Sequence, residues 1–489
     1  MAVLGTPGFD LQPSSTQTPT STNYITNFDF LSQYLPDTYE KEFERYGNRT
    51  VSSFLRLVGA ELPSISDQIK WAEQGRLHTK YVQCGTVAAS AGVFFGTWQI
   101  NDSAFPAGGA TTVTTPATAF NTDNKIAFRV GQTVMIVFNN GAGSNKGVIT
   151  NLPAANQITV AYYENGGQAA TGTGVGNSDA TIFVYGSEFK KGTQGMQGSL
   201  EADDFIFKNN PIILKDTYTV NGSDMAQIGW IEVSGEDGST GFLWYLKSEH
   251  ETRLRFDDYL ETSMIEAVPA EGAGNVGSAA NESFMGSEGI FYVVENRGNV
   301  WGGGNPVALT DWDAIISRLD KQGAIEENVV FVDRDFGFDI DDMLATANSY
   351  GAGGTSYGLF DNDEEMALNL GFTGFRRGYD FYKSDWKYLN DPTMRGDLPT
   401  VAGSGRVNGL LVPAGSTSVY DQILGKNAKR PYLHVRYRAS QTEDRRYKTW
   451  ITGSAGGART STLDAMNVNF LSERCVCTMG ANNFFLFKN

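Results

Sequence analysis

Polar residues fill the stretch 6–23 (TPGFDLQPSSTQTPTSTN), where apolar side chains are nearly absent. Such a composition buries too little to offset its ordering entropy, so residues 1–27 are expected to form a flexible arm. From Tyr24 to Tyr81 the apolar spacing turns helical. Phe30, Leu31 and Tyr34 are followed by Phe43, Phe54, Leu55 and Leu57, and, beyond Pro63, by Ile69, Trp71, Ala72 and Leu77. The spacing predicts a helical segment over 28–85, broken at Pro63. At about Thr86 the period becomes two. Val134, Ile136 and Phe138 alternate with Thr133, Met135 and Val137, and Asn139-Asn140-Gly141 closes the run like a hairpin turn. Lys146–Thr150, Gln157–Tyr163 and Thr181–Tyr185 continue the series, so residues 86–188 are expected to form a small all-β barrel or sandwich.

Residues 189–235 hold Lys190, Lys191, many glycines, Asp203–Phe207 and Pro211–Leu214, which suggests a long two-stranded excursion. Phe242 to Val268 carries the longest helical signal and stops at Pro269. Leu243, Leu246, His250, Leu254, Tyr259 and Leu260 trace its face, and Glu249–Arg253 and Glu251–Arg255 stand in the favourable acid-first order. Such a helix would span about 40 Å. The rest of the chain reads as mixed α/β. Thr310 with Asp313 resembles a capping box ahead of Trp312, Ile315, Ile316 and Leu319, and Phe338–Ala347 reads as a second helix. Strands are expected at Val329–Val332, Tyr379–Tyr382, Leu410–Val412, Tyr432–Arg438, Thr449–Ile451, Val468–Phe470, Cys475–Cys477 and Phe484–Phe487.

Composition narrows the function. The chain of 489 residues has a net charge of −17, opposite to the basic footprint of a dedicated nucleic-acid binder. Its 56 glycines exceed the ~7% of an average protein and favour turns and irregular edges. Cys84, Cys475 and Cys477 have neither disulfide-framework nor zinc spacing, which fits a reducing compartment. The start, Met1–Gly5, lacks the basic and apolar regions of a secretion signal, and no apolar run is long enough to span a membrane.

Candidate chemistry is sparse. His78, His250 and His434 lie in no recognisable catalytic or metal context, and His250 reads as a helix-surface residue. The acids Asp333, Asp335, Asp339, Asp341 and Asp342 miss calcium-loop spacing, because Gly337 falls at the fifth position instead of the sixth. They read as solvated helix starts. No cofactor motif is present, and Cys475-Val-Cys477 reads as two buried or edge thiols. Eight bases against two acids crowd Lys426–Lys448. Arg436 and Arg438, with Arg445 and Arg446 beyond them, could meet phosphates, or acidic segments such as 333–342 (Asp333, Asp335, Asp339) of a neighbouring subunit, or form an ordinary solvated face.

The order of pieces carries a resemblance. Trp71-Ala-Glu-Gln-Gly-Arg-Leu-His78, Gly374-Phe-Arg-Arg-Gly-Tyr-Asp-Phe-Tyr382, Leu410-Leu-Val-Pro413 and Met479-Gly-Ala-Asn-Asn-Phe-Phe485 sit in a chain that runs arm, helix, excursion, long helix, α/β body. This resembles the major capsid protein of tailed bacteriophages, the Hong Kong coliphage-type fold, with a flavour of crAss-like phages. The resemblance implies an α+β fold with an N-terminal arm (1–27), an E-loop (189–235), a spine helix (236–268) and P- and A-domains (269–489). Residues 86–188 would then be an inserted domain. It further implies a virion protein, assembled in the host cytoplasm, that forms hexamers and pentamers of an icosahedral shell. Portal, scaffold and cement proteins would be partners, packaged DNA would be held loosely, and no cofactor or membrane is involved. Lys190, Lys191 and Lys208 lie where some relatives form intersubunit crosslinks. The alternatives are a polysaccharide hydrolase with paired carboxylates, or a tail or adhesin component.

Overall fold

The structure, a computed structural model, describes residues 60–75, 78, 80–88, 95–100, 128–138, 143–154, 157–163, 180–199, 204–226, 233–234, 240–241, 244–270, 284–323, 325–349, 373–396, 398–399, 405–421, 426–457 and 459–488. The protein is mixed α/β, with many strands and few helices. The strands are β1 (Ala60–Ser64), β2 (Ile69–Gln74), β3 (Lys80–Ala88), β4 (Phe95–Ile100), β5 (Gln132–Phe138), β6 (Ser144–Ala154), β7 (Gln157–Tyr162), β8 (Ala180–Ser187), β9 (Asp204–Asn209), β10 (Ile212–Asn221), β11 (Val233–Ser234) and β12 (Thr240–Gly241). They continue with β13 (Asn299–Gly302), β14 (Glu327–Val332), β15 (Gly374–Arg377), β16 (Tyr379–Asp385), β17 (Val407–Pro413), β18 (Ser416–Asp421), β19 (Lys426–Pro431), β20 (Leu433–Arg438), β21 (Lys448–Gly453), β22 (Ala465–Thr478) and β23 (Phe485–Lys488). The helices longer than a single turn are α1 (Trp244–Glu266), α2 (Ile290–Arg297), α3 (Leu309–Gln322) and α4 (Arg334–Ser349). None of the described helices is long and apolar enough to cross a membrane.

The chain divides into two compact units, Asp67–Asn210 and the remainder. In the first, six strands close a barrel in the order β3-β4-β7-β6-β5-β8. The two-residue alternation decides its inside: Val134, Ile136, Phe138, Ile149, Ile158, Val160 and Ile182 are all buried, and closure leaves no edge to cap. The Asn139–Gly141 turn lies outside the described residues. The barrel begins at Lys80, ahead of Thr86, and Lys80 pairs with Phe183 of β8, so the strand that enters and the strand that leaves are neighbours.

The same unit contains an antiparallel ribbon of two strands, β2 and β9, with Trp71 opposite Phe207 and Ala72 opposite Ile206. This corrects the expected helical segment over 28–85. Among its described residues, 60–64, 69–74 and 80–85 are strands, and residues 28–59 lie outside the description, as does the arm. Ile69, Trp71 and Glu73 are half-buried while Lys70, Ala72 and Gln74 are exposed, a period of two that the helical reading overlooked. The excursion expected at 189–235 takes its second strand from upstream, so the ribbon spans both sides of the barrel in sequence.

In the remainder, six strands form a mixed sheet in the order β13-β23-β17-β14-β16-β15. Alternate residues of one strand serve opposite cores. Val330, Val332, Phe381, Leu411, Phe485 and Phe487 face Trp312, Ile315 and Leu319 of α3 and Phe336 and Ile340 of α4. Phe331, Leu410, Val412 and Leu486 face Met264, Ile265, Ile290 and Val294 from α1 and α2. Every residue of β17 is therefore buried, the pattern of a strand covered on both faces. At Gly409 an added Cβ would lie 2.8 Å from the Phe331 carbonyl oxygen, so the strands meet there only because the residue lacks a side chain.

A second sheet runs β1-β20-β22-β10, with β21 also on β22. The helix α1 covers it with Phe256 and Leu260 against Met466, Val468 and Phe470. The helix is the one expected, at 23 residues, but its face is rotated. Phe256, Leu260 and Met264 are buried at i, i+4 spacing, whereas His250 and Tyr259 are exposed. Arg255 reaches Asp216 of β10 at 3.5 Å. At α3 the box uses Asp311, whose carboxylate accepts the Ala308 N–H at 3.2 Å. Asp313 pairs with Arg377 on β15.

Because the barrel's end strands are adjacent, replacing residues 80–187 with a short Gly-Ser linker is expected to leave the remainder folded. Near-ultraviolet circular dichroism reports its buried Trp312 and Trp386; loss of that signal would contradict the boundary.

Candidate functional site

Glu473 and Arg474 sit in the middle of the 14-residue β22, where their charge reads in sequence as a break between two strands. Both are buried. Glu473 is paired by Arg438 at 3.2 Å and Arg445 at 2.7 Å. Arg474 donates to Ser472 Oγ at 2.9 Å and to the Arg446 carbonyl at 3.0 Å, and meets Glu61 of β1 at 3.3 Å. Burial pulls its guanidinium below the ordinary value, against the pull of Glu61. Arg446 also pairs with Glu61 and lies over the Tyr437 ring at 5.7 Å. Arg438, Arg445 and Arg446 thus each have a carboxylate partner inside the chain. The matched carboxylates come from distant sequence, so the basic run looked unopposed. Arg436 stands opposite Cys475, and His434 opposite Cys477, across β20 and β22. Both cysteines are buried.

Four acids of the acidic run, Asp333, Asp335, Asp339 and Asp341, have partners inside the chain. Asp333 caps α4, its Oδ1 accepting the Phe336 N–H at 2.7 Å, and its Oδ2 accepts from Arg406 at 3.0 Å. Asp335 lies 3.4 Å from the same guanidinium, and Asp339 accepts from Asn305 at 2.6 Å. These three acids and the four arginines are not brought together. Lys383 and Asp341 pair at 2.5 Å.

Two features escaped the sequence reading. At the C-terminal end of α1, where a carboxylate opposes the helix dipole, Glu266 is gripped by Arg395, with one bond at 2.6 Å, and by the Tyr388 hydroxyl at 2.7 Å. Arg395 also lies 5.0 Å over the Phe291 ring. Burial, then the bond to Glu266, pushes the Tyr388 phenol up. The second feature is the ribbon. Phe205 is 55% exposed and Ile206 72%, on opposite faces of β9. Three consecutive apolar residues in a strand, Phe205-Ile206-Phe207, are the signal that both faces need cover. Lys208, exposed, stands opposite Lys70, a like-charge pair that disfavours the ladder by itself. Lys190 and Lys191 are exposed in the loop after β8.

Among the described residues, no group of three His, Cys, Asp or Glu side chains is placed to hold a metal ion. No protein-family model matches the chain, and no curated protein matches it. Among solved structures the chain is similar to one of Microbacterium phage Oxtober96, at 9% identity over 94% of this chain and 97% of that one, with a TM-score of 0.38. It is similar to the capsid of a native GTA particle at 8% identity, covering 95% and 99%, with a TM-score of 0.38. The capsid of cyanophage P-SCSP1u matches at 10% identity over 62% and 80%, with a TM-score of 0.34.

Burial raises the Asp333 carboxyl, and the Phe336 N–H and Arg406 offset this only in part. A carboxyl raised by folding binds its proton more tightly in the native state, so it penalises the fold once ionised and ceases to do so as pH falls. Asn retains the cap without titrating. The stability of wild type relative to Asp333→Asn is therefore expected to increase between pH 7 and about pH 4, by denaturant titration. A constant or decreasing difference would contradict this environment.

Proposed function

We propose that the protein is a major capsid protein of a tailed phage, a structural subunit that associates with copies of itself into a shell. The observation that carries this reading is the β2–β9 ribbon: a two-stranded ladder that exposes Phe205 on one face and Ile206 on the other. A two-stranded ladder alone is marginal in water. A surface supplied by another molecule would complete it, and the sequence resemblance makes that molecule a second copy.

In this reading the ribbon is the E-loop, redrawn to include residues 69–74 as well as 204–209, and the barrel is a domain inserted within it. The α1 helix is the spine, and residues 269–489 supply the P- and A-domains. Residues 1–27 act as an arm laid on a neighbour. Hexamers and pentamers in closed symmetry would let one chain bury the same surfaces repeatedly, with many weak contacts summing through effective concentration. Lys190, Lys191 and Lys208 remain candidate contacts, since they are exposed on or near the ribbon. The shell would enclose double-stranded DNA, held loosely by a chain of net charge −17. Portal, scaffold and cement proteins would join it in a virion assembled in the bacterial cytoplasm. None of the solved structures above points to crAss-like phages in particular.

Substituting Ile206→Asp together with Phe205→Ser should leave the fold intact by circular dichroism while abolishing large particles in sedimentation. Particle yield equal to wild type would count against the ribbon as the assembling element.

A further inference from the structure

We propose that β1 is a salt-sensitive strap, held to the edge of its sheet mainly by the Glu61 clasp and able to open without unfolding the sheet behind it. The strand has five residues and pairs in parallel with β20 alone, from Ala60 opposite His434 to Ser64 opposite Arg438. Its one large apolar side chain, Leu62, is only half-buried, and Pro63 is exposed. Ser64 is buried, and its carbonyl accepts the Ala439 N–H at 3.1 Å. Its neighbours are held differently. β20 places Leu433 and Val435, and β22 places Val476, in a large apolar core.

The clasp joins Glu61 to two arginines from separate positions, Arg446 in the turn before β21 and Arg474 in β22. Arg446 is largely exposed, with 56% of its side chain open to solvent, so its attraction falls with added salt. Arg474 is buried but keeps Ser472 Oγ and the Arg446 carbonyl as acceptors when Glu61 leaves. Opening therefore strands no guanidinium without partners, which keeps the open state accessible. It uncovers the β20 edge without disturbing the β20–β22 pairing.

The test is amide hydrogen exchange by mass spectrometry on the full chain, comparing wild type with Glu61→Gln and Glu61→Ala. Peptides covering 60–64 are expected to exchange about tenfold faster or more in both variants, and in wild type on raising salt from about 0.05 to 1 M. Peptides within 407–413 and 465–473 should hold their protection. Unchanged exchange of 60–64 in both variants and at both salts would overturn the proposal, because the ladder alone would then hold β1. Equal acceleration throughout 407–478 would also overturn it, since the clasp would then belong to the global fold. Neither outcome depends on shell formation, so failure here is separable from failure of the capsid reading.

Discussion

A ladder of two strands has two faces and too few side chains to cover either. In the ribbon this limit is plain: Trp71 and Phe207 lie 6.2 Å apart on one face, yet Phe205 beside them and Ile206 behind them stay open to water. Burial of large apolar side chains contributes about 1.5–3 kcal/mol each, so leaving two such residues exposed on a marginal ladder is costly unless another surface covers them. That requirement is the physical basis of the proposal that the ribbon is completed by another copy.

Elsewhere among the described residues the large cores are built within the chain. The barrel's strand order closes on itself, and Tyr81 packs on Phe128 at 4.7 Å. The six-stranded sheet feeds two cores from alternate residues, with Trp312 stacked on Phe336, edge-on to Phe375 and tilted against Phe381 and Phe487. Buried charge is matched rather than excluded: Glu473 by two arginines, Glu266 by Arg395 and Tyr388. Groups satisfied this way hold shape but offer little to a partner.

The strongly periodic parts of the fold were legible in the sequence. Val134, Ile136 and Phe138 marked a barrel strand by alternation alone, and the stretch that became α1 was long enough for its periodicity to stand out. Failures arose where partners lie far off in sequence. The stretch Ile69–Gln74 read as helix because its alternation is only six residues long, and its partner β9 enters some 130 positions later. The 14-residue β22 was expected as two strands, Val468–Phe470 and Cys475–Cys477; the residues that neutralise Glu473 and Arg474 between them, Glu61, Arg438 and Arg445, are invisible to local pattern. Apolar count was informative at Phe205-Ile206-Phe207, but only the two-stranded topology gave it meaning.

The ribbon residues are expected to be completed by another copy. Amide exchange of 69–74 and 204–209, followed in the wild-type chain as dilute subunits and as particles verified by electron microscopy, tests this most directly. Rapid exchange in the subunit and strong protection in the particle is the result expected. Full protection already in a stable monomer that forms no particles would contradict it.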